Sequence, residues 1–508
     1  MRMIPLDYPR MRHLAFRSLV IVALALSGRG GAVPAAQSPG SWVITGAQIA
    51  DGTGGPLRAA SVRVVGDTIV SVGDAAPQAG DQVVDGRGLV LAPGFIDVHN
   101  HSTDGLAGDR AAATQVAQGI TTVIVGPDGS SPPDIGAYLA ARRAAPATVN
   151  VGTMVGHATV RTQVMGDDYR RVARPDEVAR MAALVDAGMK AGALGLSSGL
   201  EYVIGSYAAT DELVELARVA ARHHGVYISH IRDEADAVMA AVKETIAIGE
   251  RAGIPAQITH IKLGTVGVWG KAAEVVALVE AARARGVDVT ADAYPYLAWQ
   301  SNLKVLVPNK QYKDPASVKE ALDDVGGGRN IQFTRLTRYP QYQGKRLSEA
   351  AAAEGISEVD FFIRIADDEV GIIGHTMAEP DLKAFYQQPW VMVASDGGVN
   401  NNHPRGAGTF PRVLGRLVRE QGWLTLPEAI RKMTSFPADR LGLADRGRIA
   451  PGKKADLVLF DAATIADRST FESPRDLPTG VRAVWVNGTP VWQDGQVTAA
   501  RPGRGLAR

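Results

Sequence analysis

Cysteine is absent from all 508 residues. That excludes a disulfide framework, a thiolate nucleophile and any cysteine-ligated metal site. Histidine is scarce, at ten residues, so a site built on imidazoles must gather a large share of them. Neither sign of charge prevails, with 54 lysines and arginines against 53 aspartates and glutamates. No overall field therefore favours nucleic acid or an anionic membrane, and recognition of an anion has to be local. Long apolar runs are missing as well. The run near the N-terminus covers only residues 19–26, well short of the ~18 that cross a bilayer. What is present, 46% hydrophobic and 21% charged residues, supplies a sizeable core in a chain too long for one small domain.

That short run sits in a recognisable setting. Arg10, Arg12, His13 and Arg17 precede it, and the small residues Ala32, Val33, Ala35 and Ala36 follow. A basic region, a short apolar core and a small-residue exit predict a secretory signal peptide over 1–36, cut near Ala35 or Ala36, with Met11 as an alternative start. The mature protein is then expected to be exported, to the periplasm, with no stable membrane association after cleavage. Lack of cysteine suits an oxidising compartment, where an exposed thiolate is open to oxidation.

The remaining chain reads as β at both ends. Short alternating runs such as Ser41-Trp42-Val43-Ile44 and Ser61-Val62-Arg63-Val64-Val65 fill 37–92, and runs at 455–460 and 481–488 have the same character. One small β-sandwich, 37–92 with 446–508, is the expected outcome. Between the two ends, eight strand-like runs (95–99, 121–126, 149–155, 193–197, 226–230, 256–260, 288–291 and 391–395) alternate with helical patterns such as Leu213, Leu216, Ala217 and Ala220. The predicted fold is α/β: a (β/α)8 TIM-type barrel over 93–445, active at the C-terminal ends of its strands. A long insertion at about 309–368 separates the last two strands and is placed to act as a lid.

Chemistry concentrates at those strand ends. In Pro93-Gly94-Phe95-Ile96-Asp97-Val98-His99-Asn100-His101, the period of two puts Asp97, His99 and His101 on one face. His230 ends the fifth run, His260 the sixth, and Asp396 follows the eighth. Four imidazoles and a carboxylate converging on one mouth are the donor set of a divalent metal. The plainer reading makes each a loop or barrel-end residue that satisfies nearby amides.

With these residues in hand, the chain from about Trp42 onward resembles the amidohydrolase superfamily, in its D-aminoacylase (N-acyl-D-amino-acid deacylase) branch. The first motif carries the resemblance together with Gly195-Leu196-Ser197-Ser198-Gly199-Leu200-Glu201-Tyr202, Ser229-His230-Ile231-Arg232, Thr259-His260-Ile261-Lys262, Asp292-Ala293-Tyr294-Pro295-Tyr296, Ser395-Asp396-Gly397 and His403-Pro404-Arg405. By that resemblance His99 and His101 belong to one metal position and His230 and His260 to another, one or two ions bind, zinc foremost, and Asp396 is both ligand and catalytic carboxylate. Metal-bound hydroxide would attack the amide, with Asp396 moving the proton to the leaving amine. Where the family has a metal-binding cysteine, this chain has Asp128, in Gly126-Pro127-Asp128-Gly129. Either Asp128 or Glu201 is the further ligand. Tyr202 is placed to donate to the oxyanion, and Arg405, Lys262, Tyr294 and Ser301 to bind a substrate carboxylate. His157 at the third strand end, and Trp269 and Trp299 near the mouth, are candidates for a supporting role.

The activity implied is deacylation of an N-acyl-D-amino acid or a small peptide-like compound. A dipeptidase or cyclic-amide hydrolase uses the same scaffold, and a periplasmic binding protein without turnover is the reading from another class.

Overall fold

The structure, a computed structural model, describes residues 40–507. The expected signal peptide over 1–36 lies outside the described residues. Among the described residues no helix is long and apolar enough to cross a membrane.

Eight parallel strands form the central barrel. Phe95–Asp97, Ile120–Val125 and Asn150–Thr153 pair in one sheet, and Val155–Gly156, Gly195–Gly199, Val226–His230, Ala256–Ile258, Val289–Ala293 and Val391–Val393 in another. The third strand is thus broken at Met154 into two pieces that serve different neighbours. Closure runs through a parallel bridge between Asn100 and Gly397, with the His101 amide donating to the Gly397 carbonyl. Strand two, Ile-Thr-Thr-Val-Ile-Val, is buried at every position, as β-branched residues covered on both faces should be. The helices cover the outside with one apolar face each. In Thr210–Arg222 the residues Leu213, Leu216, Ala217 and Ala220 are buried, Asp211 and Glu212 sit in the first turn and Arg222 in the last, matching the helix dipole.

The two chain ends combine in a single nine-stranded sheet. Its seam is the antiparallel pairing of Val90–Pro93 with Leu457–Phe460. The first strand, Ser41–Ile49, forks: its first half pairs with Asp81–Asp85 and its second with Val90–Pro93. Trp42 and Trp485 lie three strand positions apart, roughly 14 Å in a flat sheet at the usual spacing. Their ring centroids are 6.0 Å apart, so the sheet curls over one apolar core that includes Ile44, Val62, Leu91, Leu457 and Leu459.

Beneath the barrel, residues 503–506 run along the lower part of strand three. The Val151 amide donates to the Arg504 carbonyl, and Leu506 donates back to Val151. Asn150 accepts from the Arg504 amide and from Asn487 and donates to Asp456. Gly503 is required here, since an added Cβ would stand 2.0 Å from the Val149 carbonyl oxygen.

Between strands seven and eight the chain builds its own antiparallel sheet from Trp299–Asn302, Val370–Gly374 and Ile331–Leu336. Helices Pro315–Asp324, Leu347–Ala353 and Glu358–Ile365 belong to the same segment. The first starts with Asp314, whose carboxylate accepts from the Ser317 amide, and Pro315.

Candidate metal centre

Of the four histidines, His230 ends a strand, and His99, His101 and His260 follow strand ends. Strand one ends at Asp97, and His99 and His101 follow it. Asp97 itself turns aside: its carboxylate accepts from the Ser395 amide (2.8 Å), the Ser395 hydroxyl (2.5 Å) and Asn100 Nδ2 (2.8 Å), tying strand one to strand eight. Strand six stops at Ile258 and strand eight at Val393, each two residues short of the predicted run. The reason is conformational. His260 and Asp396, with Asp128, have φ of 36°, 50° and 54°, the left-handed region that non-glycine residues avoid. Hydrogen bonds hold them there: the His260 amide donates to Asp292 Oδ1 (2.8 Å) and the Asp396 amide to the His99 carbonyl (3.0 Å).

Among the described residues two donor sets meet at Asp128, and a third group, Glu201, His230 and Glu234, overlaps the second. The first comprises His99, His101, Asp128 and Asp396. His99 Nε2 is 3.3 Å from His101 Nε2, 3.4 Å from Asp128 Oδ2 and 3.4 Å from Asp396 Oδ1. His101 Nε2 is 3.5 Å from Asp128 Oδ2 and 3.0 Å from Asp396 Oδ1. Around an ion with bonds of ~2.0–2.1 Å, tetrahedral ligands stand about 3.3 Å from one another. These donors already have that spacing.

The second set comprises Asp128, His230 and His260. His230 Nδ1 lies 2.9 Å from His260 Nε2, which is 3.6 Å from Asp128 Oδ1. Asp128 therefore gives one oxygen to each set. Oδ1 is buried with no hydrogen-bond partner among the described residues, a cost that a cation between it and the two imidazoles removes. The residues present fit a divalent metal: His99, His101 and Asp396 would hold it on one side of Asp128, and His230 and His260 on the other.

Electrostatics agree with that reading. Burial opposes the charged form of His101, but Asp128 and Asp396 beside it outweigh burial and hold it at about 9. Burial and Lys262 likewise oppose protonation of His260, while Glu234, Asp396 and Asp128 raise it to about 10. Burial would raise Asp128, yet the imidazoles of His99, His101 and His260 keep it well below the usual carboxylate range. So much negative charge aimed at one point attracts protons when nothing else is bound, and a metal in their place.

Glu201 sits beside these donors, on the far nitrogen of His230 at 2.7 Å. Glu234, which sequence reasoning missed, does the same for His260: Oε1 is 3.0 Å from Nδ1, and Lys262 Nζ donates to it at 2.6 Å. The signal available was its place four residues after His230, just beyond a strand end. Asp292 was visible only as part of a motif. Arg405 points to the centre, its Nη1 2.7 Å from Asp396 Oδ2 and its guanidinium 4.8 Å from the Tyr294 ring centre. Lys262 stands 5.9 Å from that same ring. The Tyr202 ring lies 4.4 Å from that of His230, and Ser301 lies against its phenol. His157 instead pairs with Glu212 at 2.8 Å, Trp299 donates to the Gly264 carbonyl and Thr376, and Trp269 is half-exposed with its indole donating to the Thr376 carbonyl.

Residues 82–492 match the amidohydrolase family. The chain belongs to it. This amidohydrolase is 39% identical over 495 residues to a D-aminoacylase of Alcaligenes xylosoxydans xylosoxydans, spanning 92% of the present chain and 98% of that one. An N-acyl-D-glutamate deacylase from the same organism is 38% identical over 490 residues, 92% and 96% of the two chains. Among solved structures, that of a D-aminoacylase superposes with a TM-score of 0.84 at 38% identity, over 92% of this chain and 99% of that one. An N-acyl-D-glutamate deacylase from Bordetella bronchiseptica, solved with zinc and a phosphonate mimic of the tetrahedral intermediate, gives 0.84 at 36%, with the same coverage. The amidohydrolase thus falls in the D-aminoacylase branch, with a (β/α)8 barrel, metal-binding donor groups and the hydrolysis of carbon–nitrogen bonds as its class of reaction.

Proposed function

We propose that the protein deacylates N-acyl-D-amino acids, using one or two zinc ions held by His99, His101, Asp396, His230, His260 and the shared Asp128. The observation that carries this reading is the pair of donor sets joined at Asp128 in a chain whose relatives are named deacylases of D-amino-acid derivatives. When bound, such ions acidify a coordinated water and polarise the amide carbonyl. Asp396 stays ionised, because His101 and Arg405 flank its two oxygens. It accepts the proton of the attacking water and passes it to the leaving nitrogen. Tyr202 stays protonated: burial and the charges of Asp128 and Asp396 hold its phenol well above the usual range. Its hydroxyl donates to the developing oxyanion. Lys262, Arg405, Tyr294 and Ser301 receive the substrate carboxylate.

Metal content by mass spectrometry, with release of free amino acid from paired N-acetyl-D and N-acetyl-L substrates, tests this directly. The expected outcome is one or two equivalents of zinc and D-selective hydrolysis that Asp396→Asn abolishes. Bound metal with hydrolysis of dipeptides or cyclic amides alone would replace the substrate and keep the chemistry. Export to the periplasm is part of the same proposal, supported by the pattern of residues 10–36. N-terminal sequencing of the mature protein checks it, and an intact residue 1 or 11 would refute it.

A further inference from the structure

The C-terminal part of the chain sends one segment back to the barrel. After strand Leu457–Phe460, residues 467–475 lie against the loop that follows strand eight and against helix Arg405–Arg412. The Ser469 hydroxyl donates to the Pro404 carbonyl at 3.0 Å, beside the Tyr296 hydroxyl at 3.3 Å. Asp467 accepts from Arg412 Nη1 at 2.9 Å, at the far end of that helix. Arg475 donates to Asn402 Oδ1 at 2.9 Å and to the Asn400 carbonyl at 3.2 Å. The Phe471 ring meets that of His403 edge-on, with centroids 5.1 Å apart. So close an approach requires glycine on the helix: a Cβ added to Gly408 would stand 2.4 Å from Ser469 Oγ.

His403 carries that contact to Arg405. Its ring is fully buried; Nε2 donates to the Ala298 carbonyl and Nδ1 accepts from the Arg405 amide, both at 3.0 Å. Those two partners demand one neutral tautomer, and burial with the charge of Arg405 keeps its pKa well below the usual imidazole value. The Arg405 side chain is itself buried, with Nη1 2.7 Å from Asp396 Oδ2 and Nε without a hydrogen-bond partner among the described residues. A buried donor left open beside the metal donors suits an incoming carboxylate. We propose that His403, Ser469 and Phe471 are positioning residues: segment 467–475 clamps the His403-Pro404-Arg405 turn and so aims Arg405 at the α-carboxylate of the substrate. The proposal rests on the deacylase reading above and extends substrate recognition to a segment outside the barrel. The metal donors are held by contacts of their own, so loosening the clamp should spare them.

Two substrates that differ only at the carboxylate, N-acetyl-D-leucine and N-acetyl-D-leucinamide, read the effect. For the zinc-loaded full-length protein, kcat/KM for the acid is expected to exceed that for the amide by roughly a hundredfold. In Ser469→Ala/Phe471→Ala the ratio should fall about tenfold through a higher KM for the acid, with zinc content and turnover of the amide unchanged. Arg475→Ala, at the exposed end of the segment, should move the ratio the same way and carries the test if the double variant fails to fold. His403→Asn keeps an acceptor for the Arg405 amide and should retain most of the preference, whereas His403→Leu should lose it. Equal losses for acid and amide, a ratio unmoved in a folded variant, or His403→Asn and His403→Leu behaving alike would overturn the positioning role and leave the deacylase reading in place. A wild type that hydrolyses acid and amide equally well would do the same. Absence of turnover on every N-acyl-D-amino acid would remove both.

Discussion

The two donor sets share Asp128 but are supported in different ways. His99, His101 and Asp396 are placed by backbone: the Asn100–Gly397 bridge, the Asp396 amide on the His99 carbonyl, and Asp97 clamping Ser395. His230, at the end of strand five, and His260, its amide on Asp292, are in addition backed by charge, with Glu201 on the far nitrogen of one and Glu234, shared with Lys262, on that of the other. No carboxylate reaches the far nitrogen of His99 so closely; it lacks a hydrogen-bond partner among the described residues, and Asp292 Oδ1 is 4.0 Å away. A carboxylate behind an imidazole fixes its tautomer and strengthens it as a ligand. The difference teaches that the centre is asymmetric: carboxylates back the imidazoles of the three-donor set, whereas the four-donor set leans on the backbone contacts that close the barrel.

The largest effect should come from the shared residue. Asp128→Ala removes a ligand from both sets, so zinc should fall below one equivalent and kcat/KM on the order of a thousandfold. Asp128→Cys sharpens the same point by restoring the family's ligand type, with retained zinc and a shift toward softer metals in competition titrations. Next, Glu234→Gln should weaken only the second set, costing roughly ten- to a hundredfold in metal affinity by chelator competition. If the first set loses its ion instead, the asymmetry is wrong. Asp97→Asn is expected to act on the first set alone and more mildly, with lower occupancy there and an unchanged second set. Smallest for the centre is Gly503→Ala beneath the barrel. It should destabilise by about 2 kcal/mol in denaturant melts through the clash with Val149, with metal stoichiometry of the folded fraction unchanged.

Much of this was legible in the sequence, for physical reasons. Strand two announces itself because a parallel strand buried on both faces needs an unbroken apolar or β-branched run. His99 and His101 were singled out by their spacing of two, although strand one ends at Asp97, short of the predicted run, and Asp97 turns to Ser395 instead of sharing their face. The left-handed turns at His260 and Asp396 were not legible, since nothing in the local residues forces a non-glycine into that region; the hydrogen bonds that hold them come from distant strands. Glu234 was hidden for a similar reason. In Arg232-Asp233-Glu234 the two acids are equivalent by composition, and only the position of Lys262 and His260 selects one. The insertion was visible as excess length, but its sheet starts earlier, at Trp299, because that edge pairs with Val370–Gly374 far along the chain.

The seam between Val90–Pro93 and Leu457–Phe460, and the run of 503–506 along strand three, have a consequence during synthesis. A ribosome making this chain leaves two β edges unpaired across a long stretch of synthesis, because residues 457–460 and 503–506, which cover them, come several hundred residues after 90–93 and 150–153. Native closure is therefore a late event, and the nascent chain exposes sticky edges of the kind that holding chaperones cover.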